Sequence, residues 1–191
     1  MKGYIYTMYK GADPGKGWSL TDPVFSPVPS MGACMPNIRR LVQQGDHIFA
    51  ISGRVSKVRQ YVVGGMSVGE KIDMREAYRR YPALRQVQTK DGTLRGNIIV
   101  GPDGTQVDTD YHDNFENRLD NFIVGSDPVQ VQTPGAVEIA RSETISVLQE
   151  LFKRRGDTVH KVMGRWRRLD SGQIQYLREW IGDVNSRGSR L

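Results

Sequence analysis

The segment 34–54 constrains the fold of this chain more than any other stretch, because its sequence predicts a short helix, a tight turn and a buried strand in succession. Pro36 suits the first turn of a helix, where its missing N–H group costs no hydrogen bond. Three apolar residues follow at helical spacing: Ile38, Leu41 and Val42. Gly45 and Asp46 indicate a turn, and the nearly continuous apolar run 47–51 predicts a strand covered on both faces.

The predicted strand 47–51 ends in small and cationic residues, namely Ser52, Gly53 and Arg54. A hydroxyl group, an accessible backbone and a guanidinium group at one edge of a core can bind a planar, polar ligand. The alternative is an ordinary helix–turn–strand unit whose arginine is solvated. Spacing alone leaves both interpretations open.

The same segment resembles part of the PUA-like nucleic-acid-binding domains of the EVE and YTH kind. In those domains a basic and apolar helix leads through Gly-Asp into a central strand that closes on small polar residues. The matching residues here are Asn37, Ile38, Arg39, Leu41, Gly45, Asp46, Ile48, Phe49 and Ser52.

A wider resemblance, over residues 1–125, is to the nucleotide-modification-associated domains, in particular the second of that numbered set. Its elements are a tyrosine-rich first strand, a Pro-Phe-Pro-like loop, a Cys-x-Pro-x-Ile-Arg motif, the Gly-Asp turn and a later Tyr-His pair. The residues that carry it are Tyr4, Tyr6, 23–27, Cys34, Pro36, Ile38, Arg39, Gly45, Asp46, Tyr111 and His112. These domains are associated with hypermodification of DNA bases in phages and bacteria.

The resemblance implies an α+β fold, namely a small PUA-like mixed or antiparallel β-barrel with surrounding helices. Together with the helical pattern of the C-terminal part, it predicts such a domain at 1–135. A basic C-terminal extension of two helices, packed on that domain, is predicted at 136–191. The resemblance also implies a cytoplasmic protein of a bacterial cell or a phage-infected host, which acts on or recognises modified bases.

Charge is distributed unevenly along the chain. Residues 1–150 carry 17 Lys and Arg and 17 Asp and Glu, whereas residues 151–191 carry 10 and 4, so the whole excess of +6 is C-terminal. A basic extension on a neutral body predicts a polyanion partner, although a solvated helix surface would have the same charge. The predicted contacts to nucleic-acid phosphates are Arg154, Arg155, Lys161, Arg165, Arg167 and Arg168.

Several classes of function find no support in the sequence. No apolar run approaches the length needed to span a membrane, and the N-terminus lacks the apolar core of a signal peptide, so we expect a soluble intracellular protein. The single cysteine, Cys34, forms no intramolecular disulfide and no zinc site by itself. The loop 11–17 contains glycines and a lysine, but Pro14 removes a backbone donor and the phosphate-binding P-loop pattern is absent.

Local patterns predict the remaining elements. The predicted strands are 2–9, 58–66, 97–100 and 120–125, and the turn residues of 127–128 and 133–135 are expected to lead out of the barrel. Asp73 predicts the start of a helix over 74–80, and two further helices are predicted to begin at Ser142 and Ser171. The last helix has an apolar stripe that needs a partner surface in its own domain, the preceding helix or another copy of the chain. The stripe consists of Ile174, Leu177, Trp180, Ile181 and Val184.

A protein that recognises a modified base would hold the extruded base by aromatic stacking and by hydrogen bonds to its edges. The predicted stacking residues are Tyr4, Tyr6, Trp18 and Phe49, although Trp18 would equally serve to pin its loop to the core. The predicted contacts to base edges are Ser52, Arg54 and Asn97. Arg39 and Arg40 are predicted to bind phosphates.

An enzyme of the same pathway would need reactive side chains. His112 is the best acid–base candidate because histidine titrates near neutral pH, and Tyr111 precedes it. Carboxylates lie close by in sequence, at Asp108, Asp110 and Asp113, but bunched carboxylates in a polar turn are usually solvated and no metal is predicted. Cys34 would be a nucleophile if a helix N-terminus lowered its pKa, whereas a buried packing cysteine is the alternative.

Three hypotheses about function therefore remain open. The first is a nucleic-acid-binding or nucleotide-binding domain that recognises a modified base, with DNA favoured over RNA. The second is a transferase or hydrolase of a base-modification pathway that uses His112, Tyr111 and Cys34, with no cofactor predicted. The third is an interaction module that forms a homo-oligomer through its C-terminal helices.

Overall fold

The computed structural model describes residues 1–190 as an α+β protein, which confirms the predicted fold class. In chain order the strands are β1 (Gly3–Thr7), β2 (Ser30–Met31), β3 (His47–Ile51), β4 (Val62–Ile72), β5 (Val87–Gln88), β6 (Leu94–Arg95), β7 (Phe122–Gln130) and β8 (Trp166–Leu169). The helices are α1 (Pro36–Leu41), α2 (Met74–Arg80), α3 (Glu116–Leu119), α4 (Pro134–Phe152), α5 (Val159–Met163) and α6 (Ser171–Gly188). Short 3₁₀ turns occupy Pro14–Lys16, Pro82–Leu84 and Asp108–Asp110.

Six of the strands form one mixed sheet in the order β2-β7-β4-β3-β1-β8, and β5 pairs with β6 separately. β1 is parallel to β3 and antiparallel to β8, and β2 is antiparallel to β7. Because the order begins at β2 and ends at β8, the sheet is open and has two edges. This topology confirms the α+β class but not the predicted closed barrel.

Contacts divide the chain into two compact units, each built from separate stretches of sequence. The first unit comprises residues 1–18, 47–66 and 129 onward, and the second comprises residues 19–46 and 67–128. The predicted boundary between 135 and 136 does not separate these units, because the C-terminal helices share the first unit with β1 and β3.

The helix, turn and strand predicted within 34–54 are all present. Pro36 occupies the first turn of α1, and the helix ends at Leu41. All five residues of β3 are buried, as the continuous apolar run predicted. Parallel pairing with β1 then places β3 inside the sheet rather than at an edge.

Helix α6 begins at Ser171 as predicted, because Asp170 and Gln173 cap it reciprocally. Asp170 Oδ1 accepts the Gln173 N–H at 2.9 Å, and Gln173 Oε1 accepts the Asp170 N–H at 3.0 Å. The predicted apolar stripe of α6 is buried in the first unit, where the helix packs against α4. The stripe therefore has its partner surface in its own chain and is not available to a second copy.

The prediction that a helix begins at Ser142 is wrong by two turns. α4 begins at Pro134, and the Thr133 hydroxyl caps it by accepting the N–H of Ala136 at 3.1 Å. The helix continues to Phe152, where Lys153 takes a left-handed conformation with φ of 49°.

Three predictions about strands also need correction. β4 begins at Val62 rather than residue 58 and continues to Ile72, and β7 runs through Pro128 to Gln130 instead of ending before it. The predicted strand 97–100 is replaced by isolated bridges at Ile98 and Val100. In addition, the segment 166–169, where no strand was predicted, forms β8.

The second unit has its own hydrophobic core, to which α2 contributes Met74 and Ala77. α2 spans 74–80 as predicted, and Asp73 Oδ1 caps it by accepting the Arg75 N–H at 2.7 Å. Within residues 1–190, no helix combines the length and the apolar composition that crossing a membrane requires.

Candidate nucleic-acid interface

The highest concentration of positive charge in the chain follows the C-terminal end of α4. Residues 153–168 contain seven Lys or Arg and one acidic residue, Asp157. α5 and β8 lie within this segment. We use the name basic face for its exposed cationic and aromatic side chains, which are Lys153, Arg154, Arg155, Lys161, Arg165, Trp166 and Arg168.

Antiparallel pairing with β1 fixes the β8 part of the basic face. Trp166 lies opposite Tyr6, and Arg168 lies opposite Tyr4. Directly opposed and alternate residues share one face of a sheet, so Trp166 and Arg168 lie side by side. Arg165 immediately precedes the strand, and its carbonyl oxygen accepts an N–H from the end of β1 at 2.9 Å. The sheet therefore fixes the spacing of the exposed Arg168 relative to Trp166.

Trp166 supplies an accessible aromatic ring within this basic surface. Its side chain is 37% exposed, and its ring centroid lies 5.8 Å from that of Tyr4 with the planes tilted by 55°. A partly exposed aromatic ring beside arginines is typical of surfaces on which nucleic-acid bases stack. The sequence-based prediction missed Trp166, because no strand was predicted at 166–169.

Most charges of the basic face have no acidic partner. Lys161 pairs with Asp157 at 2.9 Å, but both side chains are largely exposed, so this pair is weak. Across residues 1–190, no acidic side chain pairs with Lys153, Arg154, Arg155, Arg165 or Arg168. These five cations are therefore available to an external anion.

Arg167 differs from the other predicted phosphate contacts. It is only partly exposed, and its guanidinium group lies 5.1 Å from the centroid of the Phe152 ring. It also donates a long hydrogen bond of 3.4 Å to the Val162 carbonyl oxygen. Arg167 thus holds the segment against the end of α4, and its contact to a phosphate stays a prediction.

The predicted stacking residues are mostly buried. Tyr4, Tyr6 and Phe49 are 5%, 1% and 0% exposed, since they belong to strands inside the sheet. A base has no access to these rings, so the predicted aromatic wall is wrong for these three residues. Trp18 is the exception and is 47% exposed.

Two of the three predicted contacts to base edges stabilise the fold. The buried Ser52 hydroxyl accepts the Tyr61 N–H at 3.1 Å. Asn97 is fully buried, and its side-chain amide donates to Asp22 Oδ1 at 3.1 Å and to the Ser30 hydroxyl at 3.0 Å. Only Arg54 is exposed.

Arg39 is the largest fully buried side chain and does not reach solvent. Its guanidinium group donates to four backbone carbonyl oxygens, those of Cys34, Arg118, Asp120 and Asn121. Burial lowers the pKa of Arg39 to about 10, although the negative charge of Asp22 opposes this shift. The prediction that Arg39 contacts a phosphate is therefore wrong. Arg40, in contrast, is exposed.

The environment of Cys34 suppresses its reactivity. Burial raises the pKa of its thiol well above the ordinary value, and the charge of Asp22 and a hydrogen bond to that carboxylate raise it further. Asp22 accepts the backbone N–H groups of Gly32, Ala33 and Cys34. Because only the thiolate is nucleophilic, this geometry argues against Cys34 as a nucleophile.

His112 has a carboxylate partner, as an acid–base residue would need. Its Nε2 lies 3.2 Å from Asp110 Oδ2 but lacks the geometry of a hydrogen bond, and the interaction with His112 lowers the pKa of Asp110. Tyr111 is 76% exposed. In the described part of the chain, residues 1–190, no three His, Cys, Asp or Glu side chains are arranged to hold a metal ion.

Comparison of the chain with protein-family models, with curated proteins and with solved structures finds no match. The functional argument therefore rests on geometry and charge. The basic face combines unpaired cations with an accessible ring, whereas the polar groups around Cys34 are largely hydrogen-bonded within the second unit.

Proposed function

We propose that this chain is a nucleic-acid-binding protein that holds DNA phosphates on the basic face of its first unit. The observation that carries the proposal is the set of five exposed cations without an acidic partner among residues 1–190. Neutralising phosphates with such residues releases counterions, which supplies affinity without sequence readout.

Trp166 gives this surface a means of contacting bases. Stacking of a base on an aromatic side chain contributes about 1–3 kcal/mol and tolerates any sequence. Arg168 shares a face of the sheet with the ring, so a phosphate that flanks a stacked base has a cation close by. The combination favours single-stranded or locally opened DNA over a closed duplex.

A link to base modification remains part of the proposal. The resemblance of 34–54 to PUA-like domains and of 1–125 to nucleotide-modification-associated domains supports it. The open sheet does not support a closed PUA-like barrel, so recognition of a modified base is proposed for exposed residues. Trp18 and Arg54, both exposed in the first unit, are the remaining candidates from the sequence.

The test is binding of matched oligonucleotides, single- and double-stranded, with plain and modified bases, at two salt concentrations. We expect the triple variant Arg154→Gln, Arg155→Gln, Arg168→Gln to weaken binding and to reduce the slope of log affinity against log salt by up to about three. The matched control is Arg79→Gln, Lys90→Gln, Arg95→Gln, which removes the same charge from exposed positions of the second unit. Equal losses of affinity in both variants would show that the effect comes from net charge alone and would refute specific binding on the basic face.

An enzyme of a base-modification pathway is the second candidate, and the Asp110–His112 pair favours it. His112→Ala should abolish turnover of such an enzyme and leave DNA binding unchanged. A protein that only binds DNA has no turnover to lose. The third hypothesis, an interaction module, loses its support because the apolar stripe of α6 is buried within the first unit.

A further inference from the structure

A second cationic feature of the first unit is an open cavity of about 280 Å³. Its lining contains four cationic side chains, one carboxylate, one hydroxyl and one apolar side chain. The lining residues are Lys16, Lys57, Val58, Arg59, Glu138, Arg141 and Ser142. Since α4 rises about 1.5 Å per residue, Ser142 lies about 16 Å along the helix from the start of the basic face.

Arg141 is a fixed part of this cavity. Its side chain is only 7% exposed, and its two terminal nitrogens donate to the Asp13 carboxylate at 2.8 and 2.9 Å. Nη1 also donates to the Arg59 carbonyl oxygen at 2.5 Å. The guanidinium group lies 4.7 Å from the centroid of the Tyr61 ring. The charge of Arg141 is therefore balanced by Asp13, and its position is held on several sides.

One donor of this fixed guanidinium group has no acceptor. Arg141 Nε is buried and makes no hydrogen bond with any of residues 1–190. The Glu138 carboxylate approaches it to 3.8 Å, which is too far for a hydrogen bond. Buried N–H groups are nearly always paired, because an unpaired one is costly. The missing acceptor is therefore expected from outside the chain.

The loop before the cavity is shaped to fit Arg141. A Cβ atom at Gly15 would lie 2.6 Å from Arg141 Nη2, so a larger residue would collide with the guanidinium group. The 3₁₀ turn Pro14–Lys16 then brings the Lys16 side chain to the cavity. The glycines and lysine of 11–17 thus belong to a cationic site, although the segment is no P-loop.

We propose that this cavity binds a phosphate group, as inorganic phosphate, as diphosphate or as the terminal phosphate of a larger molecule. An anion here would accept the Arg141 Nε–H bond and would meet the exposed charges of Lys16, Lys57 and Arg59. The cavity volume is at the lower limit for ligand sites. Its lining has no aromatic ring for a base, so the phosphate itself is the recognised group.

The Nε–H group of Arg141 provides a direct probe, because a buried arginine gives its own resolved ¹H–¹⁵N signal. We expect sodium phosphate and sodium diphosphate to shift this signal saturably, whereas sodium chloride at equal ionic strength leaves it in place. A 5′-phosphorylated tetrathymidylate and its unphosphorylated form separate the two sources of the ligand. If only the phosphorylated form shifts the signal, the terminal phosphate of a nucleic acid is also a ligand of the cavity.

Variants make the test specific to the cavity. Lys57→Gln with Arg59→Gln should weaken phosphate binding by roughly a hundredfold, since each of the two lost charge-assisted contacts is worth about tenfold. Glu138→Gln should strengthen binding, because it removes the one carboxylate. The matched control, Arg79→Gln with Lys90→Gln, removes the same charge from exposed positions of the second unit and should leave phosphate binding unchanged. A shift that does not saturate, or equal affinity in both double variants, would overturn the proposal.

Discussion

The polar residues around Cys34 in the second unit and the basic face in the first unit use their hydrogen-bonding groups in opposite ways. Around Cys34, the Arg39 guanidinium group donates to four carbonyl oxygens, and Asp22 accepts three successive backbone N–H groups. On the basic face, most cations meet no acceptor among residues 1–190.

This difference separates polar groups that build the fold from those that are free to bind. Both regions contain arginines, and the sequence predicted ligand binding for both. A buried charge is tolerated only when it is well hydrogen-bonded. Arg39 uses four of its five N–H donors on carbonyl oxygens and is closed to solvent, so it is not available to a ligand. Exposed cations gain little from weak surface pairs and keep that capacity.

The largest expected effect concerns stability at Arg39. Arg39→Ala should lower the free energy of unfolding by about 3–5 kcal/mol, because it leaves four carbonyl oxygens without their donor and removes the positive charge near Asp22. Arg40→Ala, at the exposed neighbouring position, should change it by less than about 0.5 kcal/mol. Urea denaturation of both variants measures the difference, and equal values would break the distinction between the two regions.

An intermediate effect is expected for DNA binding at Trp166. Trp166→Ala should weaken binding of single-stranded DNA by about 1–3 kcal/mol through the loss of stacking. Trp166→Phe retains an aromatic ring and should recover most of that affinity. Fluorescence anisotropy with a labelled oligonucleotide gives both values. An unaffected Trp166→Ala variant would restrict the basic face to phosphate contacts.

The smallest effect concerns the Asp110–His112 pair and its dependence on pH. The pKa of Asp110 in the folded protein is below its ordinary value. The stability that this group contributes is therefore fully present at a pH above the ordinary pKa, and it is lost as the pH falls through the lowered pKa. His112→Ala should lower the free energy of unfolding, and the pH-dependent part of this decrease should be about 0.5–1 kcal/mol. It should be absent when His112→Ala is made in an Asp110→Asn background. Unfolding measured from pH 6 downward tests this, and a loss that persists at low pH would contradict it.

Local sequence signals predicted the elements that carry their own caps and stripes. These signals act within a few residues, so α1, β3, α2 and α6 were predicted correctly. The signals are Pro36, the run 47–51, Asp73 and the stripe of α6. The start of α4 was missed because Thr133 and Pro134, which cap and begin it, are equally typical of a turn. β8 was missed because edge strands carry charged residues, and its sequence is half arginine.

The site was harder to predict than the fold, because burial depends on distant parts of the chain. Tyr4, Tyr6 and Phe49 have the same sequence pattern whether a strand is covered or exposed. Arginine is usually found at the protein surface. Arg39 is buried here only because carbonyl oxygens within 118–121 lie against it. The charge excess of 151–191 needed no such information, since charged side chains are exposed by default.

The placement of tryptophan in this molecule has a spectroscopic consequence. All three tryptophans, Trp18, Trp166 and Trp180, belong to the first unit. Trp180 is 8% exposed and its indole N–H donates to Glu143 at 3.0 Å, so its emission reports on the intact packing of α4 and α6. Tryptophan fluorescence, excited selectively, therefore observes one unit only, while circular dichroism observes both. Comparing the two signals through a single denaturation series would show whether the two units unfold in one cooperative step.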